Sequence, residues 1–137
     1  MTTPSTDRAY SAPIVDAFTA AFWEGTKAGV FNIRKCNACG KVHWYPRPLC
    51  PYCLSDATAW VASTGLGEIY TFTVHRGAGA APYALAYVRL DDGVTVMTNL
   101  VDCDLDQLSI GQRVQMRFKP AEGDQCIPVF APVLTGR

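Results

Sequence analysis

Two Cys-x-x-Cys pairs, Cys36-Asn-Ala-Cys39 and Cys50-Pro-Tyr-Cys53, stand ten residues apart and constrain this chain more than any other stretch. Thiolate sulfur is the preferred ligand of zinc, and four thiolates close a tetrahedral shell at about 2.3 Å with no position left for water. Such a closed shell is structural, so the metal is expected to hold the chain together and to activate no substrate. Iron can occupy the same four sulfurs, since tetrahedral thiolate sites accept either metal. A redox dithiol does not account for the pattern, because two matched pairs are present and no thioredoxin-like βαβ arrangement surrounds them. Gly40, directly after Cys39, permits the positive-φ turn that points backbone amides at sulfur. The second pair has Leu54 in that place, which leaves the shape of its knuckle open. His43, four residues past Cys39, reads as an exposed ribbon histidine, because the cysteines already fill the shell.

The rest of the chain decides what the metal staples. The chain has 137 residues, 49% of them apolar, and a formal charge of zero. That is room for one ordinary domain, or a small domain plus a metal-stapled module, and describes a folded chain rather than a disordered one. Neutrality argues against generic nucleic-acid binding, which draws its affinity from an excess of Lys and Arg. No apolar run approaches the roughly 18 residues of a membrane span. Residues 1–11 lack a charged region followed by an apolar one, so no secretory signal is expected. Six cysteines without such a signal, four of them in metal spacing, point to a reducing cytoplasm. Cys103 and Cys126 then read as buried free thiols rather than a pair.

Residues 1–12 are Thr, Ser and Ala with scattered charge and read as a poorly ordered lead-in. A helix is expected from Pro13, with Ser11 as its cap and Asp16 near its positive end. Ile14, Phe18 and Phe22 follow at intervals of four, Val15, Ala21 and Trp23 widen the stripe, and Gly25 and Gly29 mark the end. The aromatic load of Phe18, Phe22 and Trp23 leaves two readings open: packing on the chain's own domain, or docking on a partner. Residues 30–34 form a strand into the first knuckle, 41–45 a second strand, Pro46-Arg47-Pro48 a rigid connection, and 60–62 a return.

After Gly67 the pattern switches to strands. Tyr70, Phe72 and Val74 alternate with Thr71, Thr73 and His75; residues 83–90 and 94–101 are largely apolar. Residues 113–119 alternate with Val114, Met116 and Phe118 inward, and a last strand at 129–133, broken by Pro128 and Pro132, suits a sheet edge. Residues 104–108 read as a short helical turn. Five strands with a helical piece between the third and fourth is the order of an OB-fold barrel. The expected architecture is mainly β: lead-in and helix over 1–29, metal ribbon over 30–63, barrel over 64–137. Stripping the metal is then expected to unfold the ribbon and to leave the barrel strands protected.

Catalytic signals are missing. His75-Arg76 ends the first barrel strand and opens a Gly/Ala-rich loop at 77–82, in the place where OB-folds often contact ligands, but no Ser/His/Asp or Cys/His set accompanies it. Charge is uneven although it sums to zero. Residues 30–63 hold Arg34, Lys35, Lys41 and Arg47 against Asp56, whereas residues 91–106 hold five aspartates and no base. The fourth barrel strand adds an outward row of Arg113, Arg117 and Lys119. A basic ribbon suits phosphates or an acidic partner, and solvated faces explain the same runs.

Several stretches in order resemble one family: Phe22-Trp-Glu-Gly25, Arg34-Lys-Cys-Asn-Ala-Cys-Gly40, Pro46-Arg-Pro-Leu-Cys-Pro51, Gly67-Glu-Ile-Tyr-Thr-Phe-Thr-Val74, Asn99-Leu-Val-Asp102 and Pro128-Val-Phe-Ala-Pro132. It is the family first labelled domain of unknown function thirty-five, whose members look like a rubredoxin-like zinc ribbon followed by an OB-fold. The resemblance covers residues 18–133. It implies a non-catalytic accessory subunit, in a hetero-oligomer with a thiolase-fold enzyme: an acetyltransferase, a thiolase or an aldolase that shortens steroid side chains. The large partner would carry the catalytic residues, and the small chain would help hold an acyl-CoA thioester. On this reading Zn2+ sits on Cys36, Cys39, Cys50 and Cys53, with no membrane partner. Arg47, His75, Arg76 and Tyr83 become candidate ligand or partner contacts beside Phe18, Phe22 and Trp23. The competing reading is a single-strand nucleic-acid binder, in which Tyr70, Phe72 and Tyr87 would stack bases.

Overall fold

The computed structural model describes residues 10–77 and 81–133. Most of the expected lead-in, and the centre of the 77–82 loop, lie outside the described residues. One helix, α1 (Ala20–Lys27), precedes a three-stranded antiparallel sheet of β1 (Asn32–Cys36), β2 (Val42–His43) and β3 (Thr58–Ala62) in the order β2-β1-β3. Five further strands close a barrel: β4 (Leu66–His75), β5 (Tyr83–Leu90), β6 (Thr95–Leu100), β7 (Arg113–Ala121) and β8 (Gln125–Pro132). A 3-10 turn at Leu105–Gln107 sits between the third and fourth barrel strands, where it was expected.

The helix starts seven residues later than its apolar stripe predicts. Asp16 accepts from both the Thr19 N–H (2.7 Å) and the Thr19 hydroxyl (3.0 Å), while the Asp16 N–H donates to Thr19 Oγ1 at 3.2 Å. This reciprocal pair closes the entering turn; the N-cap of α1 is Thr19 rather than Ser11, and no side chain caps it. Its carboxyl is held below the usual range by the Thr19 N–H and hydroxyl. Ile14 is left 94% exposed, outside the helix. The end matches a Schellman motif: Val30 N–H donates to Gly25 O (2.8 Å) and Gly29 N–H to Thr26 O (3.1 Å), with Gly29 at φ +80. Gly25 is therefore inside the helix, where a Cβ would lie 2.7 Å from Asn32 Nδ2.

Two strand expectations change. Tyr70 faces solvent, because a bulge between Ile69 and Thr71 shifts the alternation; Ile69 is buried before it, and Phe72 and Val74 point to the core after it. Tyr87, on β5, is likewise exposed. The last strand is no edge: β8 pairs antiparallel with β7 along its length and in parallel with β6 at Leu100–Phe130. Phe130 O accepts from Val101 N–H at 2.9 Å. By the two-residue period, Pro128 and Pro132 also direct their backbone toward β6, where the ladder is a single bridge and a missing N–H costs little.

The core does not stop at the ribbon. Phe22 of α1 and Phe31 before β1 join barrel residues such as Ile69, Val88 and Phe130 in one buried cluster. Ring centroids of Phe31 lie 5.6 Å from Phe22, 5.3 Å from Trp44 and 6.1 Å from Phe130. Gly67, buried in β4, marks a close backbone approach to β5: a Cβ there would run into the Arg89 carbonyl and stand 3.0 Å from Leu90 Cα. Gly67→Ala is therefore expected to cost at least about 2 kcal/mol through overpacking against rigid backbone. Urea unfolding reads this directly, and an unchanged midpoint would show that the β4–β5 spacing adjusts.

Candidate metal centre and the surfaces around it

The first knuckle begins where β1 ends and the second follows the Pro46-Arg47-Pro48 connection, and each is closed by its own backbone. Gly40 N–H donates to Cys36 O at 2.8 Å, and Leu54 N–H donates to Cys50 O at 2.9 Å. Leu54 takes φ +67, close to the φ +80 of Gly40, so the second knuckle reproduces the first despite lacking a glycine. A non-glycine residue there costs roughly 1–2 kcal/mol, a strain that Leu54 sustains because the site over-determines its turn.

The four sulfurs converge as the spacing predicts. Sγ atoms are 3.6 Å apart for Cys36–Cys53 and 3.7 Å apart for Cys39–Cys50, and all four lie within 4.8 Å of one another. A regular tetrahedron with metal–sulfur bonds of about 2.3 Å has edges of about 3.8 Å, so these residues fit a four-thiolate metal. Cys36 and Cys50 are buried, Cys39 and Cys53 exposed. The Cys39 N–H, foremost, brings Cys36 down to about 7. At Cys50 burial opposes ionisation, yet the Cys53 and Tyr52 N–H groups outweigh it and the pKa is lowered. At Cys53 the Ser55 N–H favours the thiolate, but burial and the neighbouring sulfurs prevail and raise it to about 11. Sulfurs this close compete for negative charge, and a divalent cation removes that competition.

His43 is not the exposed histidine expected. It is 2% exposed, opposite Arg34 in the β1–β2 register, with Nε2 3.5 Å from Arg47 O and Nδ1 without a hydrogen-bond partner. Arg34 is also buried, which removes it from the basic ribbon face. Its guanidinium donates to Thr58 Oγ1 at 2.6 Å and lies 4.9 Å and 4.7 Å from the Phe18 and Trp60 ring centroids. Burial lowers its pKa, and the two π faces stand where a carboxylate is absent. Phe18 thus clamps the turn before α1 onto the ribbon.

The remaining candidates fall into separate places. Phe22 is buried in the chain's own core, whereas Trp23 is half-buried and lines a hollow with Trp44 and Tyr45. Arg47 is exposed beside the second knuckle. The His75 ring packs on Tyr83 at 5.0 Å, and Arg76 pairs with Asp106 at 2.6 Å. The acidic run and the basic row largely cancel: Arg113 makes a bidentate bond to Asp91 (3.0 and 2.6 Å), and Arg117 and Lys119 reach Asp102. Among the described residues Cys103 and Cys126 are free and half-buried, and burial foremost raises Cys103 to about 11. No described helix is long and apolar enough to cross a membrane.

The outer face of β4–β6 was missed in the sequence. Rows Thr71–Tyr87–Met97 and Thr73–Leu85–Asn99 run across the three strands without a charged residue. Leu85, Tyr87 and Met97 are all exposed. Alternation in β5 was available as a signal, but Ala84, Ala86 and Val88 are apolar too and hide which face is buried.

Comparison with known proteins gives concordant matches. Residues 23–59 match the family described as ChsH2, rubredoxin-like zinc ribbon domain, and residues 60–119 match ChsH2, C-terminal OB-fold domain. A DUF35 domain-containing scaffold protein of Methanothermobacter thermautotrophicus is 34% identical over 91 residues, 62% of this chain and 68% of that one. A probable enoyl-CoA hydratase alpha subunit of Thermomonospora curvata is 32% identical over 126 residues, 89% of this chain but only 40% of the relative's length. The solved structure of an Ltp2-ChsH2(DUF35) aldolase superposes with a TM-score of 0.78 at 32% identity, covering 88% of this chain and 98% of the matched chain.

Proposed function

The chain belongs to the DUF35 family, as a ChsH2-type zinc ribbon followed by an OB-fold, and on that premise we propose that it is a non-catalytic subunit that scaffolds a thiolase-superfamily enzyme and helps hold its acyl-CoA thioester. The observation that carries this is the exposed apolar centre of the outer face of β4–β6, formed by Leu85, Tyr87 and Met97, with Arg89 in the next row along β5. OB-folds receive their ligands on this side of the barrel. A single-stranded nucleic acid needs several cations along its track; Tyr70 and Tyr87 are exposed as that reading requires, but the two central rows supply no cation and the next row supplies Arg89 alone, 4.4 Å over the Tyr70 ring and beside Glu68. A protein partner fits better.

Names of relatives agree with a subunit role. One is a scaffold protein, one an alpha subunit, and one structure pairs ChsH2 with Ltp2 in an aldolase. The metal in this reading is zinc, which holds the ribbon and takes no part in chemistry. Compartment follows the thiols: a reducing cytoplasm keeps the four cysteines available to metal. Arg47, exposed on the ribbon, is the cation placed to meet a CoA phosphate or a partner carboxylate.

Co-expression with thiolase-fold enzymes of the native host, followed by affinity capture and size exclusion, tests the scaffold. A stable complex is expected, and the double variant Leu85→Arg/Tyr87→Asp is expected to abolish co-elution with its melting temperature little changed. A native capture that yields no enzyme partner would sink the reading.

A further inference from the structure

Leu54, in the second knuckle, is 73% exposed, and Leu49 just before that knuckle is 49% exposed. Leu54 also stands at φ +67, where the first knuckle places Gly40. Glycine would close the same turn without strain, whereas leucine strains it. The exposed side chain gains little burial within this chain in return. An apolar group held outward at such a cost suits a contact beyond the chain. With Arg47, Pro48 and Pro51, the two leucines wall a hollow of about 360 Å3. The prolines fix its backbone, so a guest meets a prepared surface.

Across the knuckle, Lys35, Lys41 and Tyr52 border a hollow of about 500 Å3 against the β5–β6 turn, and Lys41 Nζ stands 4.8 Å from the Tyr52 ring centroid. Asp92, at its rim, accepts from the Ser63 hydroxyl at 2.5 Å. Lys35, Lys41 and Arg47 are exposed, and among the described residues none of them pairs with a carboxylate. The barrel differs, since its Arg76, Arg113, Arg117 and Lys119 all reach aspartates. A divalent ion would leave the four thiolates two negative charges. Together with Asp56 these fall one short of Arg34, Lys35, Lys41 and Arg47.

We infer that the second knuckle is a docking surface, apart from the β4–β6 face, for an acidic segment of the enzyme partner. That segment carries a large apolar side chain for the hollow between Leu49 and Leu54, and carboxylates for Arg47, Lys35 and Lys41. The inference rests on the subunit reading above and names the chemistry of a second contact. Three exposed cations are fewer than the clusters of about 4–8 that hold anionic lipid, and fewer than a nucleic-acid track uses. An apolar anchor with charges at its rim is instead the layout of a protein contact.

The metal-loaded chain is titrated with the enzyme captured by co-expression. Leu54→Gly should keep or raise the thermal melt, because it relieves the strained turn, yet weaken the complex at least tenfold; Leu54→Met should hold the affinity. Lys35→Glu with Lys41→Glu should also weaken it at least tenfold and flatten its salt dependence. Zero-length carbodiimide coupling should join Lys35 or Lys41 to Asp or Glu side chains of one enzyme segment. A lower melt in Leu54→Gly would make the side chain structural and overturn the inference. Cross-links confined to copies of this chain would overturn it too, as would displacement of the enzyme by a single-stranded oligothymidine or by phosphatidylserine–phosphatidylcholine vesicles. Full affinity in the glycine and glutamate variants, with Leu85→Arg/Tyr87→Asp still abolishing co-elution, overturns this inference alone. No complex with the unmodified chain overturns the scaffold reading and this inference with it.

Discussion

Replacing Cys36 by serine is expected to empty the metal site and to unfold the ribbon together with α1. Cys36 is wholly buried, and its sulfur stands 3.6 Å from that of Cys53. Serine cannot supply a thiolate, and apparent binding energies of structural zinc, about 10–16 kcal/mol in zinc-finger peptides, are folding energy that a small module cannot replace. Metal content should fall from about one ion per chain toward zero, with an early unfolding transition. Chelation of the unmodified protein should reproduce this. Hydrogen exchange locates the damage: amides of β1–β3 and α1 should exchange first, and β8 next, because Phe31 covers Phe130 and Thr26 reaches Cys126 O at 3.4 Å. The β4–β5 hairpin, paired across eight registers, should keep most of its protection. Full metal content and an unchanged melt in Cys36→Ser would remove the structural role of the site.

Phe31→Ala should be the most damaging change outside the cysteines. The side chain is 2% exposed and touches the rings of Phe22, Trp44 and Phe130, one each from helix, ribbon and barrel. Truncating a buried phenylalanine costs about 3–5 kcal/mol through lost burial and the cavity left behind. Lost ring–ring geometry adds to this, since each such pair is worth about 0.5–1.5 kcal/mol beyond its area. For a domain of this size the melting temperature should fall on the order of 10 °C. The four cysteines remain, so the metal should still bind at about one equivalent. Differential scanning calorimetry with metal analysis separates the two effects. A single sharp transition at the original temperature would mean that the helix–ribbon unit and the barrel do not share their core energetically.

Chemistry was easier to read than facing. Four cysteines at Cys-x-x-Cys spacing admit few geometries, so the metal site was legible before any fold. The strand order of the barrel was legible too, because turn residues and apolar runs alternate regularly. Phase within a strand was not. One extra residue at the Ile69–Thr71 bulge turned Tyr70 outward, and prolines at 128 and 132 signalled an edge where the barrel in fact closes. The helix start was misplaced for a similar reason: Ile14 continues an apolar period, but the Asp16–Thr19 pair breaks the backbone pattern downstream of it.

By itself the sequence determined a closed four-thiolate site, a barrel behind it, and the absence of a recognisable catalytic set, because these depend on residue identity and short spacing. Tertiary structure alone decided what the ribbon is for. Contacts among Phe22, Phe31 and Phe130 join residues up to 99 positions apart, and no local pattern encodes them. They turn two modules into one core. The same long-range packing buried Arg34 and His43, paired Arg113 with Asp91, and left Leu85, Tyr87 and Met97 exposed on the outer face of β4–β6. Burial is a property of the whole fold, so each of those outcomes waited on where the chain returned to itself.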